Sequence, residues 1–244
     1  MRTTPQTEAW TREAIRLSRR YQIEIVEACG LCPWATRART DGTVRERVLL
    51  QPAEAALIES SLEAIEELSR EKRVEVALFI YPRLALGRMA FEHFAARVRN
   101  ADTGSRPLGE APFMFAAFHP DAEPDTEDPE RLIPFLRRTP DPTIQLVRAS
   151  VLERVRAGTP QGTQFVDVRN LDANMEYAVP LRERIARVNL ATAERMGVAE
   201  LKRRMDAIVG DRDATYEKLA GAVRNGAGSG LTSAETPRRS LRRR

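Results

Sequence analysis

Two cysteines stand close together near the start of the chain, in the segment EACGLCPWATRART at residues 27–40. Cys29 and Cys32 are the only cysteines among the 244 residues, and Pro33 follows the second one directly. Thiols at this spacing can form a redox-active pair, supply two ligands to a zinc ion, or provide one nucleophile. They can also be small apolar side chains in a core, because free cysteine is among the most buried residue types.

A redox pair and a metal site both fit the surrounding sequence poorly. In thioredoxin-like proteins the Cys-x-x-Cys motif belongs to a βαβ unit, whereas Cys29 here follows a helical pattern. A structural zinc site takes four ligands, and the only histidines, His93 and His119, match no standard zinc-finger spacing. The acidic run at 121–130 lacks the glycine and glutamate positions of a calcium loop. We predict no metal site, and the sequence identifies no cofactor.

Cys32 is the better candidate for chemistry because of the proline behind it. Proline is favoured at the first position of a helix, so we predict that Cys32 is the N-cap residue of a short helix. Unpaired backbone N–H groups and the helix dipole would then favour the thiolate. A buried, structural cysteine is equally compatible with the spacing.

The elements that position these residues follow from the spacing of apolar side chains. Intervals of three or four predict helices, and short apolar runs bounded by turn residues predict strands. The predicted order is helix 8–28, strand 44–50, helix 53–70, strand 74–81, helix 88–99, strand 113–118, a long proline- and acid-rich loop, and helix 143–157. This α-β-α-β-α-β-α order predicts a small α/β fold in two or three layers, with a parallel or mixed sheet.

The C-terminal part predicts helices followed by a tail. Residues 180–223 predict two or three helices with breaks near Gly197 and near Gly210 and Asp211. Residues 226–244 are rich in Gly and Ser and then in Arg, a composition that predicts disorder. The predicted division is an α/β domain at 1–160, a helical extension packed on it at 161–225 and a disordered basic tail at 226–244.

Charge and hydropathy indicate which partners and which cellular compartment to expect. The formal net charge of +4 resides in residues 226–244, which carry five arginines and one glutamate. Such a tail would make weak, salt-sensitive contact with nucleic acid at most. We find no apolar run of about 18 residues and no signal-peptide pattern, so we expect no membrane contact. Two cysteines in a chain of this length predict reduced thiols and a cytoplasmic location.

Four short motifs occur in a characteristic order: LCPWA at 31–35, FHPD at 118–121, RTPDP at 138–142 and LVR at 146–148. Their order and spacing resemble an uncharacterised bacterial family, the domain of unknown function 1415. Its members carry Leu-Cys-Pro-Phe-Ala after an N-terminal helix, Phe-His-Pro at a strand end, Arg-Ser-Pro-aromatic-Pro, and Leu-Leu-Arg in a following helix. The resemblance covers about residues 8–158 and implies a fold but no reaction.

The resemblance emphasises particular positions, and this chain departs from the pattern at others. The matching positions are Cys32, Pro33, His119, Pro120, Arg138, Pro140, Pro142 and Arg148, whereas Cys29 has no counterpart. The departures are Trp34 for Phe, Thr139 for Ser, Asp141 for an aromatic residue, and Gln145 for a histidine. They indicate a divergent member with an altered substrate or with lost activity.

One functional hypothesis is a thiol-dependent enzyme. Cys32 would be the nucleophile or redox thiol, His119 its base, and Asp121 the group that orients the histidine. A small anionic substrate would be bound by the substrate-binding set Arg138, Arg148 and Trp34, since a guanidinium matches carboxylate and phosphate groups. No Gly-rich phosphate loop, GxSxG elbow or HExxH motif is present, which disfavours other common enzyme classes.

The alternative hypothesis is a non-catalytic α/β module that binds a ligand or a protein. Cys32 would then be buried, and His119 would be hydrogen-bonded at the end of the third strand. The C-terminal helices would serve as an interaction arm or a dimer contact. The sequence leaves open the oligomeric state and whether Cys32 and His119 meet.

Overall fold

Four strands form one mixed sheet in the computed structural model, which describes residues 4–32, 34–107, 110–157 and 181–228. The strands are β1 (Val44–Val48), β2 (Val76–Ile80), β3 (Phe113–Phe118) and β4 (Thr143–Arg148), in the order β1-β2-β4-β3. β1 is parallel to β2, and β4 is antiparallel to both β2 and β3. The first three strands therefore run in the same direction, with β4 inserted between the second and the third.

Eight α-helices surround this sheet in the described part of the chain. They are α1 (Pro5–Tyr21), α2 (Ala35–Thr40), α3 (Glu54–Arg70), α4 (Arg88–Gly104), α5 (Pro129–Leu136), α6 (Ala149–Ala157), α7 (Leu181–Met196) and α8 (Val198–Gly228). A π-helical turn, Gln22–Glu27, extends α1. None of the helices in the described ranges is long and apolar enough to cross a bilayer.

The first hydrophobic core lies between one face of the sheet and helices α3 and α4. Alternate strand residues point to this face, because side chains change sides at every residue of a strand. Phe79 of β2 and Leu146 of β4 meet Ile65 of α3 and Phe94 of α4 there. The predicted crossover helices after β1 and β2 are thus present, and both cover the same face.

Helix α1 lies against the opposite face of β1. Neighbouring residues of β1 form ion pairs in opposite directions, since Glu46 pairs with Arg19 of α1 whereas Arg47 pairs with Glu67 of α3. A second hydrophobic core joins α1 and the π-helical turn to helices α5, α7 and α8, with Leu17, Phe135, Leu201 and Ile208 fully buried. The molecule is therefore an α/β structure with helices on both sides of the sheet.

The predicted helix at 143–157 is wrong in its first half, which forms strand β4. Ile144 and Leu146 are buried in the first core while Gln145 and Val147 point to the other side. This period of two coexists with a period of three or four from Ile144 to Val147 and Val151, so a short apolar run fits both patterns. Hydrogen bonding to β2 on one side and to β3 on the other makes residues 143–148 a strand. The second half of the predicted helix forms α6.

Two further predictions on the C-terminal part have different outcomes. The break near Gly197 is confirmed, because this residue adopts a left-handed φ of 85° between α7 and α8. The break at Gly210 and Asp211 is wrong, since α8 continues through both residues. The described residues do not include 158–180, and so they do not include the predicted domain boundary at 160. They also do not include the basic tail from residue 229 onwards. Contact of that tail with nucleic acid stays a prediction.

Candidate functional site

The first three strands all end at the same edge of the sheet, where β4 begins. Hydrogen bonds from Leu49 N–H to the Ile80 carbonyl and from Tyr81 N–H to the Pro142 carbonyl, both 2.9 Å long, mark this edge. We call residues 49–51, 81–88, 119–121 and 138–142 the carboxyl edge. Two of the family-like motifs, FHPD and RTPDP, lie here, at the position where open α/β sheets commonly bind ligands.

His119 is buried at the carboxyl edge, with 4% of its surface exposed. Its Nε2 lies 2.9 Å from the Leu86 carbonyl oxygen, which can only accept a hydrogen bond. Its Nδ1 accepts a hydrogen bond from the Asp121 backbone N–H at 3.2 Å. These partners define the neutral tautomer with the proton on Nε2, and burial lowers the pKa of the ring. Both nitrogens are therefore occupied by the main chain.

Asp121 holds this ring mainly through its backbone. Its carboxylate is exposed, and Oδ2 lies 3.7 Å from His119 Nδ1, beyond hydrogen-bond distance. The predicted orienting contact from the carboxylate is thus replaced by one from the amide N–H.

Cys32 is half-buried and is not the N-cap of the helix that follows it. Helix α2 begins at Ala35 with Trp34 at the N-cap position, so the N-cap prediction for Cys32 is wrong. The Cys32 carbonyl instead accepts a hydrogen bond from Ala35 N–H at 3.2 Å. Burial raises the pKa of the Cys32 thiol, while the backbone amides of Trp34 and Ala35 lower it to a smaller extent. Pro33 lies outside the described residues.

The structure does not join Cys32 to His119. Among the described residues no hydrogen bond links the thiol to the ring, whose nitrogens already have partners. Cys29 is buried in the second core with its Sγ 3.9 Å from the Glu24 carbonyl oxygen, and both thiols are free. Burial raises the pKa of Cys29 as well, so Cys29 is a small core residue.

Arg148 lies at the opposite edge of the sheet, at the end of β4. Its guanidinium donates hydrogen bonds to backbone carbonyls of Leu68, Glu71 and Val74, at distances of 2.9, 2.9 and 2.5 Å. It also stacks over the Phe113 ring, 4.8 Å from its centroid. The Leu68 and Glu71 carbonyls also accept from the backbone N–H groups of Glu71 and Val74, so the half-buried Arg148 is a second donor that links the end of α3 to β4.

Arg138, by contrast, lies at the carboxyl edge. Its Nε donates to the Pro120 carbonyl at 2.5 Å, and its Nη1 lies 2.7 Å from Asp206 Oδ1 of α8. Arg138 and Arg148 therefore stand at opposite ends of β4 and do not form a joint anion clamp. Trp34 is exposed at the start of α2, and it makes no aromatic or cation–π contact within the described residues.

The carboxyl edge also contains a buried carboxyl group, that of Asp141, to which the sequence analysis assigns no functional role. Asp141 is 2% exposed, and its Oδ2 accepts a hydrogen bond from the Tyr216 hydroxyl of α8 at 2.8 Å. Burial raises the pKa of Asp141 to about 6, although Tyr216 and the Arg212 guanidinium both act to lower it. Strongly perturbed carboxyl groups are candidates for functional sites.

An aromatic and cationic group lies beside this carboxyl. The Tyr216 ring packs on the Trp10 ring with centroids 4.4 Å apart, and the Arg83 guanidinium lies 4.8 Å from the Trp10 centroid. Trp10 is buried, and its Nε1–H has no hydrogen-bond acceptor within the described ranges. Arg212 donates to the Pro140 carbonyl. We call Trp10, Arg83, Asp141, Arg212 and Tyr216 the edge cluster.

Sequence reasoning missed most of the edge cluster. Asp141 had a signal, because it departs from the aromatic residue of the family pattern. Tyr216 and Arg212 had none, since they come from α8, far along the chain, and no local motif points to Asp141. Among the described residues, no group of three or more Cys, His, Asp and Glu side chains is placed to hold a metal ion.

The fold and the carboxyl edge define an α/β protein with a four-stranded mixed sheet and a polar cluster where the strands end. A family model described as "Protein of unknown function (DUF1415)" matches residues 13–180, so the chain belongs to this family. The match ends before α7 and α8, and Trp10 also lies outside it. Comparisons with curated proteins and with solved structures find no match.

Proposed function

We propose that the protein binds a small anionic ligand at the carboxyl edge and acts as a binding module. The observation that carries the proposal is a pair of hydrogen-bond donors, Arg83 and Trp10, that have no protein acceptor among the described residues. Arg83 is exposed and packs on the Trp10 ring, while the buried Trp10 Nε1–H has no acceptor in the described part of the chain. A planar guanidinium held over a ring is preorganised for a carboxylate or a phosphoryl group.

The environment of these donors supports an anion and predicts a dependence on pH. Tyr216 connects this pair to Asp141, because its ring packs on Trp10 and its hydroxyl donates to the Asp141 carboxyl group. The pKa of Asp141 is raised to about 6. Above that pH the carboxylate repels an anion, and below it the neutral acid does not. Affinity for an anion of constant charge should therefore increase as the pH falls from 7 to 5.

Sulfate is a suitable probe, because its charge does not change in this range. Trp10 is the reporter in a Trp34→Phe protein, where it is the remaining tryptophan. We expect a saturable change in its fluorescence with sulfate at constant ionic strength, and a loss of affinity of about tenfold in Arg83→Gln.

The matched control is Arg73→Gln, which removes another exposed arginine, one that lies before β2 at the opposite edge. Equal effects of the two substitutions, or a fluorescence change that does not saturate, would contradict the proposal.

A second candidate function is the thiol-dependent enzyme at Cys32 and His119. One observation favours it: the amides of Trp34 and Ala35 act on the Cys32 thiol in the direction that stabilises a thiolate. Burial acts more strongly in the other direction, and His119 is bound to the main chain. The binding module is therefore the better supported function, and the reactivity of Cys32 tests the alternative.

We also propose a cytoplasmic location. Its support is the chemistry of the cysteines, both of which carry free thiols, as expected in a reducing compartment. Fractionation of cells that produce the full chain checks this location, and recovery in the membrane or secreted fraction would contradict it.

A further inference from the structure

β3 is an edge strand in the described part of the chain, because the strand order there gives it β4 as its one neighbour. The Ala149 N–H donates to the Pro112 carbonyl at 2.9 Å, which fixes residue 112 as one whose backbone faces β4. Since the direction alternates along an antiparallel strand, Met114 and Ala116 also face β4. The N–H and C=O groups of Phe113, Phe115 and Ala117 point away from the sheet.

These outward-facing groups have no protein partner in the described part of the chain. No other strand pairs with the outer side of β3 there, and no loop hydrogen bond reaches it. A row of unpaired backbone groups is a template for another strand.

The sequence of the strand also lacks two common protections of a sheet edge. Its sequence, FMFAAF, contains no charged residue and no proline, the two features that commonly block edge-to-edge pairing. The Met114 side chain is 50% exposed, although it is large and apolar. The edge is therefore suited to pairing with an uncharged strand.

We propose that β3 pairs antiparallel with β3 of a second copy of this chain, around a two-fold axis at Phe115. In this register Phe115 faces Phe115 of the second copy, and Phe113 faces Ala117. Every outward-facing N–H and C=O of β3 then has a partner, which no shifted register achieves. Two four-stranded sheets become one continuous sheet of eight strands, with the same surface used on both copies.

Two of the side-chain pairs in this register combine a large and a small residue. Exposed Met114 lies opposite Ala116 on one face, and Phe113 lies opposite Ala117 on the other, where the two Phe115 side chains face each other at the axis. Because the strand is neutral, it brings no like charges together. The Met114–Ala116 and Phe113–Ala117 pairs, together with the lack of charge, favour a second copy of β3 as the partner strand.

A proline substitution at Ala117 tests the backbone contacts. Ala117→Pro removes an N–H that points away from β4, so the hydrogen bonds within the sheet are kept. The molar mass of the full chain is measured by sedimentation over about 1 to 200 µM, a range in which mass action reveals a weak dimer. We expect a dimer for the unaltered chain and a dissociation constant raised about tenfold or more in the variant.

Substitutions at Met114 test the register without touching the core. Met114 of one copy lies diagonally across from Met114 of the other, within reach of long side chains. Met114→Lys and Met114→Glu should each weaken dimerisation by like-charge repulsion, while an equimolar mixture of the two variants should dimerise again. Met89→Lys is the matched control, because Met89 is 56% exposed on α4 and should leave the dimer intact.

Circular dichroism confirms that each variant is folded before its mass is interpreted. A monomer at every concentration of the unaltered chain would overturn the proposal. So would a dimer that is unaffected by Ala117→Pro and by both Met114 substitutions.

Discussion

At the scale of single residues, two opposing effects set the reactivity of Cys32. Burial raises the pKa of its thiol more than the two nearby amides lower it, and His119 is held by Leu86 and Asp121. A histidine that donates from Nε2 and accepts at Nδ1 has no free lone pair for a thiol proton. The neighbourhood of each residue therefore favours packing over nucleophilic chemistry.

We expect Cys32 to be alkylated slowly, with an apparent pKa above the free-thiol value of about 8.5. The rate is measured against pH by mass spectrometry in the Cys29→Ser protein. His119→Gln keeps an N–H donor near the Leu86 carbonyl and should leave the curve unchanged. A pKa below the free-thiol value that rises in His119→Gln would support the thiol-dependent enzyme instead.

The buried carboxyl of Asp141 should make stability depend on pH. Its pKa is raised from 3.8 to about 6 in the folded protein, so the folded state binds the proton more tightly than the unfolded state. The stabilising contribution of the neutral acid is full below about pH 4 and is lost as the pH rises through about 6. We expect the free energy of unfolding, relative to Asp141→Asn, to fall by about 2–3 kcal/mol between pH 4 and 7.

Denaturant titrations at several pH values measure this change. Asp213→Asn is the control, because Asp213 lies beside Arg212 but is exposed. The same pH dependence in Asp141→Asn as in the unaltered chain would show that Asp141 is not its source.

At the scale of elements, the sequence predicted what apolar spacing alone determines. The predictions for strands β1, β2 and β3 and for helices α3 and α4 are confirmed, because the strands are short runs bounded by turn residues and the helices have one regular apolar spacing. The sequence predicts a helix at β4, since Ile144, Val147 and Val151 also have helical spacing and only pairing with the neighbouring strands distinguishes a strand from a helix. Helix α5 was missed within a segment whose prolines suggested a loop, although Pro129 stands in the first turn, where proline is tolerated.

Two glycines of the C-terminal helices provide a matched pair of substitutions. Gly197→Ala should destabilise the protein by about 1–2 kcal/mol, because its φ of 85° is unfavourable for a residue with a Cβ. Gly210→Ala should stabilise it by up to about 1 kcal/mol, since Gly210 is inside α8 and a Cβ there meets no atom within 4 Å. Thermal unfolding of both variants measures the difference. Destabilisation by Gly210→Ala would argue for a break in α8 at that position.

At the scale of the whole molecule, the family match and the folded unit do not coincide. The match ends at residue 180, yet α8 completes the second core and supplies Tyr216 to Asp141 and Asp206 to Arg138. Asp211 adds ion pairs to Arg16 and Arg20 of α1. The sequence placed His119, Arg138 and Asp141 in motifs, but the partners of Asp141 and Arg138 could not be found from it, because contacts across such separations leave no local pattern.

We expect α8 to be required for the stability of the entire chain. Leu201→Ala and Ile208→Ala should each lower the free energy of unfolding by about 2–5 kcal/mol, because both side chains are fully buried in the second core. Arg203→Ala, which changes an exposed position of the same helix, should have an effect below about 0.5 kcal/mol. Denaturant unfolding measures all three. An independent transition for α8, with the remaining signal unchanged, would contradict this view.

The insertion of β4 between β2 and β3 imposes an order on folding during synthesis. β1, α3 and β2 are consecutive and can pair as soon as residues up to Ile80 have left the ribosome. Within residues 4–157, β3 pairs with β4 alone, so the apolar segment FMFAAF must wait until residues 143–148 emerge. During that interval both sides of the strand are open to other nascent chains, and rapid arrival of β4 protects the protein from aggregation.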